Sequence, residues 1–101
     1  MAVSTSPDKL WVESDEKDVY LQTRGEQKLR VRYTLKELES RLAAHNFARV
    51  HKAYLVNLDF VAEVAPWFSG AYTIRMQDAV HTEIPMSRRY AASIKKLTGW
   101  R

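Results

Sequence analysis

Cysteine is absent from these 101 residues. Disulfides, thiolate zinc sites and cysteine nucleophiles are therefore excluded. No apolar run approaches the roughly 18 residues of a membrane span, and the N-terminus lacks the apolar stretch of a signal peptide. The chain is expected to be cytoplasmic, or a piece of a larger cytoplasmic protein. Acids are scarce beyond residue 23: residues 1–23 carry five acids against two bases, whereas 24–101 carry seven against fourteen. Three histidines, His45, His51 and His81, show no ligand spacing, so no metal and no cofactor is expected. An enzyme such as a nuclease would need a carboxylate cluster or a His–acid pair, and the acids gather in the segment least suited to face a polyanion. No internal repeat, low-complexity tract or RNP-type aromatic pattern is present.

What is there is a hydrophobic fraction of 46% and a basic region with a net +7 over residues 24–101. The first is enough for one domain that buries about 65% of its unfolded surface. The second favours nucleic acid, because a basic face gains affinity by releasing condensed counterions.

The coarse pattern is mostly β. Residues 1–8 are small and polar and are expected to be a flexible N-terminus, with the domain proper at 9–101. Leu10-Trp11-Val12 opens a strand that ends in the charged run Asp15-Glu16-Lys17-Asp18, and residues 19–23 form the next. Gly25 marks a turn. Residues 28–33 alternate basic and apolar, which predicts a strand with one wet face. Thr34 and Glu37 have capping-box spacing, with Tyr33 and Leu38 as a hydrophobic staple. Leu35, Leu38 and Leu42 share one face of the helix that follows, about 35–44, which His45-Asn46 ends. Residues 47–58 and 60–64 read as two strands divided by Asp59 and closed by Pro66. Ser69-Gly70 is a turn before the alternation of Tyr72, Ile74 and Met76. Gln77-Asp78-Ala79 leads into a strand at 80–84 that Pro85 ends. Ser87 then caps a short C-terminal helix with Tyr90, Ile94 and Leu97 on one face and Gly99 at its exit.

Three segments, in order, resemble the LytTR-type DNA-binding domain found at the C-terminus of many bacterial response regulators of two-component systems. They are Tyr-Thr-Leu-Lys-Glu-Leu-Glu-Ser-Arg-Leu at 33–42, Phe-Ala-Arg-Val-His-Lys-Ala-Tyr-Leu-Val-Asn-Leu at 47–58 and Ile-Pro-Met-Ser-Arg-Arg-Tyr at 84–90. The second carries the family signature Phe-x-Arg-x-His-(Arg/Lys)-(Ser/Ala)-(Tyr/Phe)-x-Val-Asn. The likeness spans Leu10 to Leu97. It implies an elongated arrangement of three small antiparallel sheets with little helix. It also implies double-stranded DNA as partner, read by loops inserted into successive grooves at promoter direct repeats, with a second copy of the domain alongside. An N-terminal receiver or sensor domain would lie outside this chain. Family members usually begin with a further hairpin, where about nine residues precede Leu10 here.

Residue by residue, Arg88 matches the family's base-reading arginine, and arginine can donate two parallel bonds to guanine. Arg89 beside it is a second candidate; the plainer reading is a solvated arginine pair. Lys52 corresponds to the polar position after His51 and is taken as a phosphate contact. Arg49 either shares that surface or pairs with a nearby acid. His51 stays open between a structural histidine bonded to backbone and a phosphate contact. Lys17 is the one credible donor in the loop that matches the family's first DNA contact. Asn57 is expected to fix a turn through backbone bonds. Trp11 is assigned to the core, and Trp67-Phe68 to a loop that could meet a partner. The function expected is sequence-specific duplex DNA binding in transcription regulation. The alternative is a basic protein-interaction module without DNA specificity.

Overall fold

In the computed structural model the structure describes residues 9–24, 27–67, 69–78 and 80–98, with side chains in the last helix as far as Ile94. The expectations for residues 1–8, Gly25, Phe68, Ala79, the Leu97 side chain, Gly99 and Trp100 lie outside this set. In chain order the elements are β1 (Lys9–Asp15), β2 (Asp18–Thr23), β3 (Lys28–Val31), α1 (Leu35–Leu42), β4 (Phe47–His51), β5 (Tyr54–Asn57), β6 (Val61–Pro66), β7 (Tyr72–Met76), β8 (Glu83–Met86) and α2 (Arg88–Thr98).

Every strand pairing among the described residues is antiparallel. The strands form two sheets rather than the three implied by resemblance: β3-β2-β1-β5-β4 and β6-β7-β8. The reason is β1, which bonds β2 on one side and β5 on the other, so the N-terminal strands and the central hairpin become one sheet. β1 is thus a central strand, paired along both of its edges. Extents of 45 × 27 × 25 Å make the molecule elongated, as expected.

Apolar residues on both faces of the five-stranded sheet explain its near-continuous hydrophobic runs. On one face Val12, Val19, Phe47 and Leu55 pack against Leu35 and Leu38 of α1. On the other, Trp11, Val50 and Val56 pack against Ile74, Met76, Ile84 and Met86 of the second sheet and against Ala91 and Ile94 of α2. A register shift at Leu10 interrupts the alternation of β1 and lets Leu10 and Trp11 join the same cluster.

α1 begins as its sequence dictates. The Thr34 hydroxyl accepts from the Glu37 amide at 3.1 Å, and the Glu37 carboxylate accepts from the Thr34 amide at 2.8 Å. Asn46, in the left-handed region at φ 66°, ends the 3₁₀ turn that follows α1. Tyr33 stays 40% exposed with the Arg41 guanidinium 4.6 Å from its ring centroid.

Three strand expectations are corrected. Residues 47–58 are not one strand but the β4–β5 hairpin, with His51 paired to Tyr54 across Lys52 and Ala53. The segment at 28–33 stops pairing at Val31, and Leu29 is 46% exposed because β3 is a sheet edge. The last strand lies at Glu83–Met86 rather than 80–84, with Pro85 inside it opposite Thr73. Proline is tolerated there because β8 is an edge and needs no outward donor. Val80 is held instead in a turn, where Thr82 donates its amide to Asp78 at 2.7 Å. α2, at 11 residues, is longer than α1 at 8.

Candidate nucleic-acid interface

The β4–β5 reversal contains none of the residues that usually make turns, so side chains hold it. Arg49 donates from Nε to the His51 carbonyl at 2.9 Å and from a terminal nitrogen to the Lys52 carbonyl at 2.6 Å. Its other terminal nitrogen meets Glu39 of α1 at 2.9 Å. The Arg49 side chain is only 18% exposed. Of the two readings of this residue, pairing with an acid is the one the geometry contains.

His51 secures the same turn. Its Nδ1 accepts from the Ala53 amide at 3.1 Å, and its ring meets Tyr54 edge-on at 5.6 Å. Burial, then the nearby Lys52 and Arg49 charges, push its pKa below the ordinary histidine value. Neutral His51 keeps the Nδ1 lone pair that the turn uses. The result is a rigid tip from which the Lys52 side chain projects into solvent.

Two contacts bring other candidates to this tip. The Ser87 amide donates to the Val50 carbonyl at 3.0 Å, which ties the start of α2 to β4. The Ser14 amide donates to the Ala53 carbonyl at 2.8 Å, which sets the end of β1 beside the β4–β5 turn. The β1–β2 turn, with Glu16 at φ 55° and Lys17 exposed, therefore projects at the same end of the five-stranded sheet.

Arg88 and Arg89 are exposed in the first turn of α2, which contains no acid. α1 is built oppositely, with Glu37 in its first turn and Arg41 in its last. Two cations at the positive end of a helix oppose its dipole, so α2 leaves a positive end open to an anion. Arg88 is also placed by the β6–β7 turn. A Cβ added to Gly70 would lie 2.6 Å from Arg88 Cδ, so the aliphatic stem of Arg88 lies on the bare glycine backbone. Gly70 has φ +80°, a second reason for glycine.

Elsewhere, three cations are matched by acids, Lys28 with Glu13, Arg30 with Asp18, and Arg75 with Glu63 and Glu83, while Lys9, Arg32 and Lys36 form no ion pair among the described residues. Among the described residues no acid pairs with Lys17, Lys52, Arg88 or Arg89. Four of the six candidates thus present unmatched charge, while Arg49 and His51 build the turn. Asn57 plays the part expected of it, accepting from the Asp59 amide at 3.0 Å and donating to the Lys9 carbonyl at 2.8 Å. Gly70 and Glu39 were missed. Gly70 signals only a turn in sequence, and nothing local links Glu39 to Arg49.

The profile of the LytTr DNA-binding domain family matches residues 6–99, and the chain belongs to that family. It is a DNA-binding domain of the kind used in transcription regulation, not an enzyme. It is 41% identical over 66 residues to the sensory transduction protein LytT of Oceanobacillus iheyensis, covering 65% of this chain and 27% of that protein. To the transcriptional regulatory protein YpdB of Escherichia coli K12 it is 31% identical over 90 residues, covering 89% of this chain and 36% of that one. A solved structure, the LytTr DNA-binding domain of a Bacillus cereus protein described as a methyl-accepting/DNA response regulator, superposes with TM-score 0.83. It shares 25% identity over 92% of this chain and 83% of that one. The chain spans roughly a third or less of the length of its curated relatives. No helix among the described residues is long and apolar enough to cross a membrane.

Proposed function

We propose that residues 9–101 bind duplex DNA sequence-specifically as the output domain of a bacterial cytoplasmic transcription regulator. The observation that carries this reading is the convergence of unmatched Lys52, Arg88 and Arg89 where Ser87 is bonded to Val50. Arg88, its stem seated on Gly70, reads base edges in a groove; Lys52 and Arg89 anchor phosphates. Lys17 makes a third contact from the β1–β2 tip, weakened by Asp15, Glu16 and Asp18 around it. Arg49 and His51 act through Lys52 by fixing the turn. Loops enter successive grooves, and two copies load side by side on promoter direct repeats. A receiver or sensor domain elsewhere in the whole protein governs that loading.

The test is selection of random duplex DNA on the purified chain at about 150 mM salt, where nonspecific phosphate binding is already reduced. A short motif recurring at one-turn spacing supports the reading. A folded domain that enriches no motif from the pool sinks it. The competing reading, a basic protein-interaction module, draws on the exposure of Trp67 and predicts association that survives high salt.

A further inference from the structure

We infer that Trp67 is a further DNA-contacting residue, laying its indole against the duplex beside the Arg88 contact and supplying a salt-independent apolar part of the affinity. This rests on the reading just proposed. Trp67 follows the last residue of β6, and its amide donates to the Ala71 carbonyl at 2.9 Å, closing the turn whose Gly70 carries the Arg88 stem. The side chain is nevertheless 66% exposed. An indole left that open is unusual for a residue that buries well, and exposed aromatics mark contact surfaces.

The surroundings name the occupant. Trp67 walls an open cavity of about 480 Å³ with His51, Tyr72, Pro85, Met86 and Ser87. His51 directly precedes Lys52 and Ser87 directly precedes Arg88, so this apolar floor adjoins both unmatched cations. Glu83, the acid on its wall, is engaged by Arg75 at 3.2 Å. A polyanion drawn onto Lys52 and Arg88 is therefore brought against Trp67. Duplex DNA offers apolar surface there, on deoxyribose faces and thymine methyl groups.

The test uses the intact chain and its selected duplex, with affinity measured across a salt series. Trp67→Ala should weaken binding about tenfold while leaving the slope of log affinity against log salt unchanged. Trp67→Phe, which keeps an apolar ring, should retain most of the affinity. Lys52→Ala should instead reduce the slope by about one. In a Trp100→Phe background, added duplex should shield Trp67 emission from acrylamide. Unchanged affinity in Trp67→Ala, with quenching unaltered while Lys52→Ala weakens binding, overturns this inference alone. Absence of duplex binding by the unaltered chain overturns it together with the reading it rests on. Shielding that appears with rising protein concentration and no DNA assigns the surface to a second copy and also overturns it.

Discussion

At the scale of the residue, the two arginines of the site have opposite employment. Arg49 spends its donors inside the fold, on Glu39 and on the carbonyls of His51 and Lys52. Arg88 is exposed, and its aliphatic stem lies against Gly70. The assigned roles separate experimentally. Arg88→Ala should cost about 1–3 kcal/mol on the selected duplex and much less on scrambled DNA. Lys52→Ala should weaken both about equally, because phosphates carry no sequence. Equal losses for the two variants on both duplexes would defeat the assignment. Gly70→Ala should behave as a displaced Arg88: it forces alanine to φ +80° and drives a methyl into the Arg88 stem. The strain is roughly 1–2 kcal/mol, read as a lower midpoint in thermal unfolding, with discrimination lost alongside.

At the scale of the element, the two helices differ in what their first turns do. α1 satisfies its own amides through Thr34 and Glu37, and its sequence announces this directly. Bonds from Thr34, the backbone one foremost, hold the Glu37 carboxyl below its ordinary value. A depressed carboxylate contributes stability above its unfolded pKa and loses it as pH falls through the folded value. Unfolding measured from pH 6 down to pH 3 should therefore show α1 weakening below about 4.5, the ordinary glutamate value. Thr34→Ala should remove part of that dependence and cost about 1 kcal/mol at neutral pH. A variant with the same acid profile as the parent would show that the box does not govern the helix. α2 has no such box, and its first turn is left to Arg88 and Arg89. The β4–β5 hairpin is the other case: its sequence shows an apolar run, and its reversal depends on Arg49 and His51.

At the scale of the molecule, one cluster ties everything the site needs. Ile74, Met76, Ile84 and Met86 of the small sheet meet Val50 and Val56 of the large sheet and Ile94 of α2. The relative positions of the β4–β5 tip, the β6–β7 turn and the start of α2 are set by this packing. Truncating Ile84, 1% exposed, to alanine should cost about 2–5 kcal/mol in denaturant unfolding. Where the variant still folds, specific binding should fall more than nonspecific binding, because Arg88 loses its registration with Lys52. A loss below 1 kcal/mol would mean that the two sheets do not share this core.

Local chemistry determined a good deal of this protein from sequence alone. The capping box at Thr34, the stop at Asn46, the periodic leucines of α1 and the alternation of β7 all follow from interactions within a few residues. The charge asymmetry and the ordered segments at 33–42, 47–58 and 84–90 pointed to DNA. Tertiary structure decided the rest. The turn at Lys52 is held by Arg49 and braced by Glu39 on another element. Arg88 is seated on Gly70 from a different hairpin. β1 became central by pairing with β5, which merged two expected sheets into one. Which cations are matched by acids also depends on strand neighbours far apart in the chain, as Lys28 with Glu13 and Arg75 with Glu63. The physical reason is common to all of these: hydrogen bonds and close packing between distant segments exist only once the sheets have assembled, and they leave no periodic or local trace in the sequence.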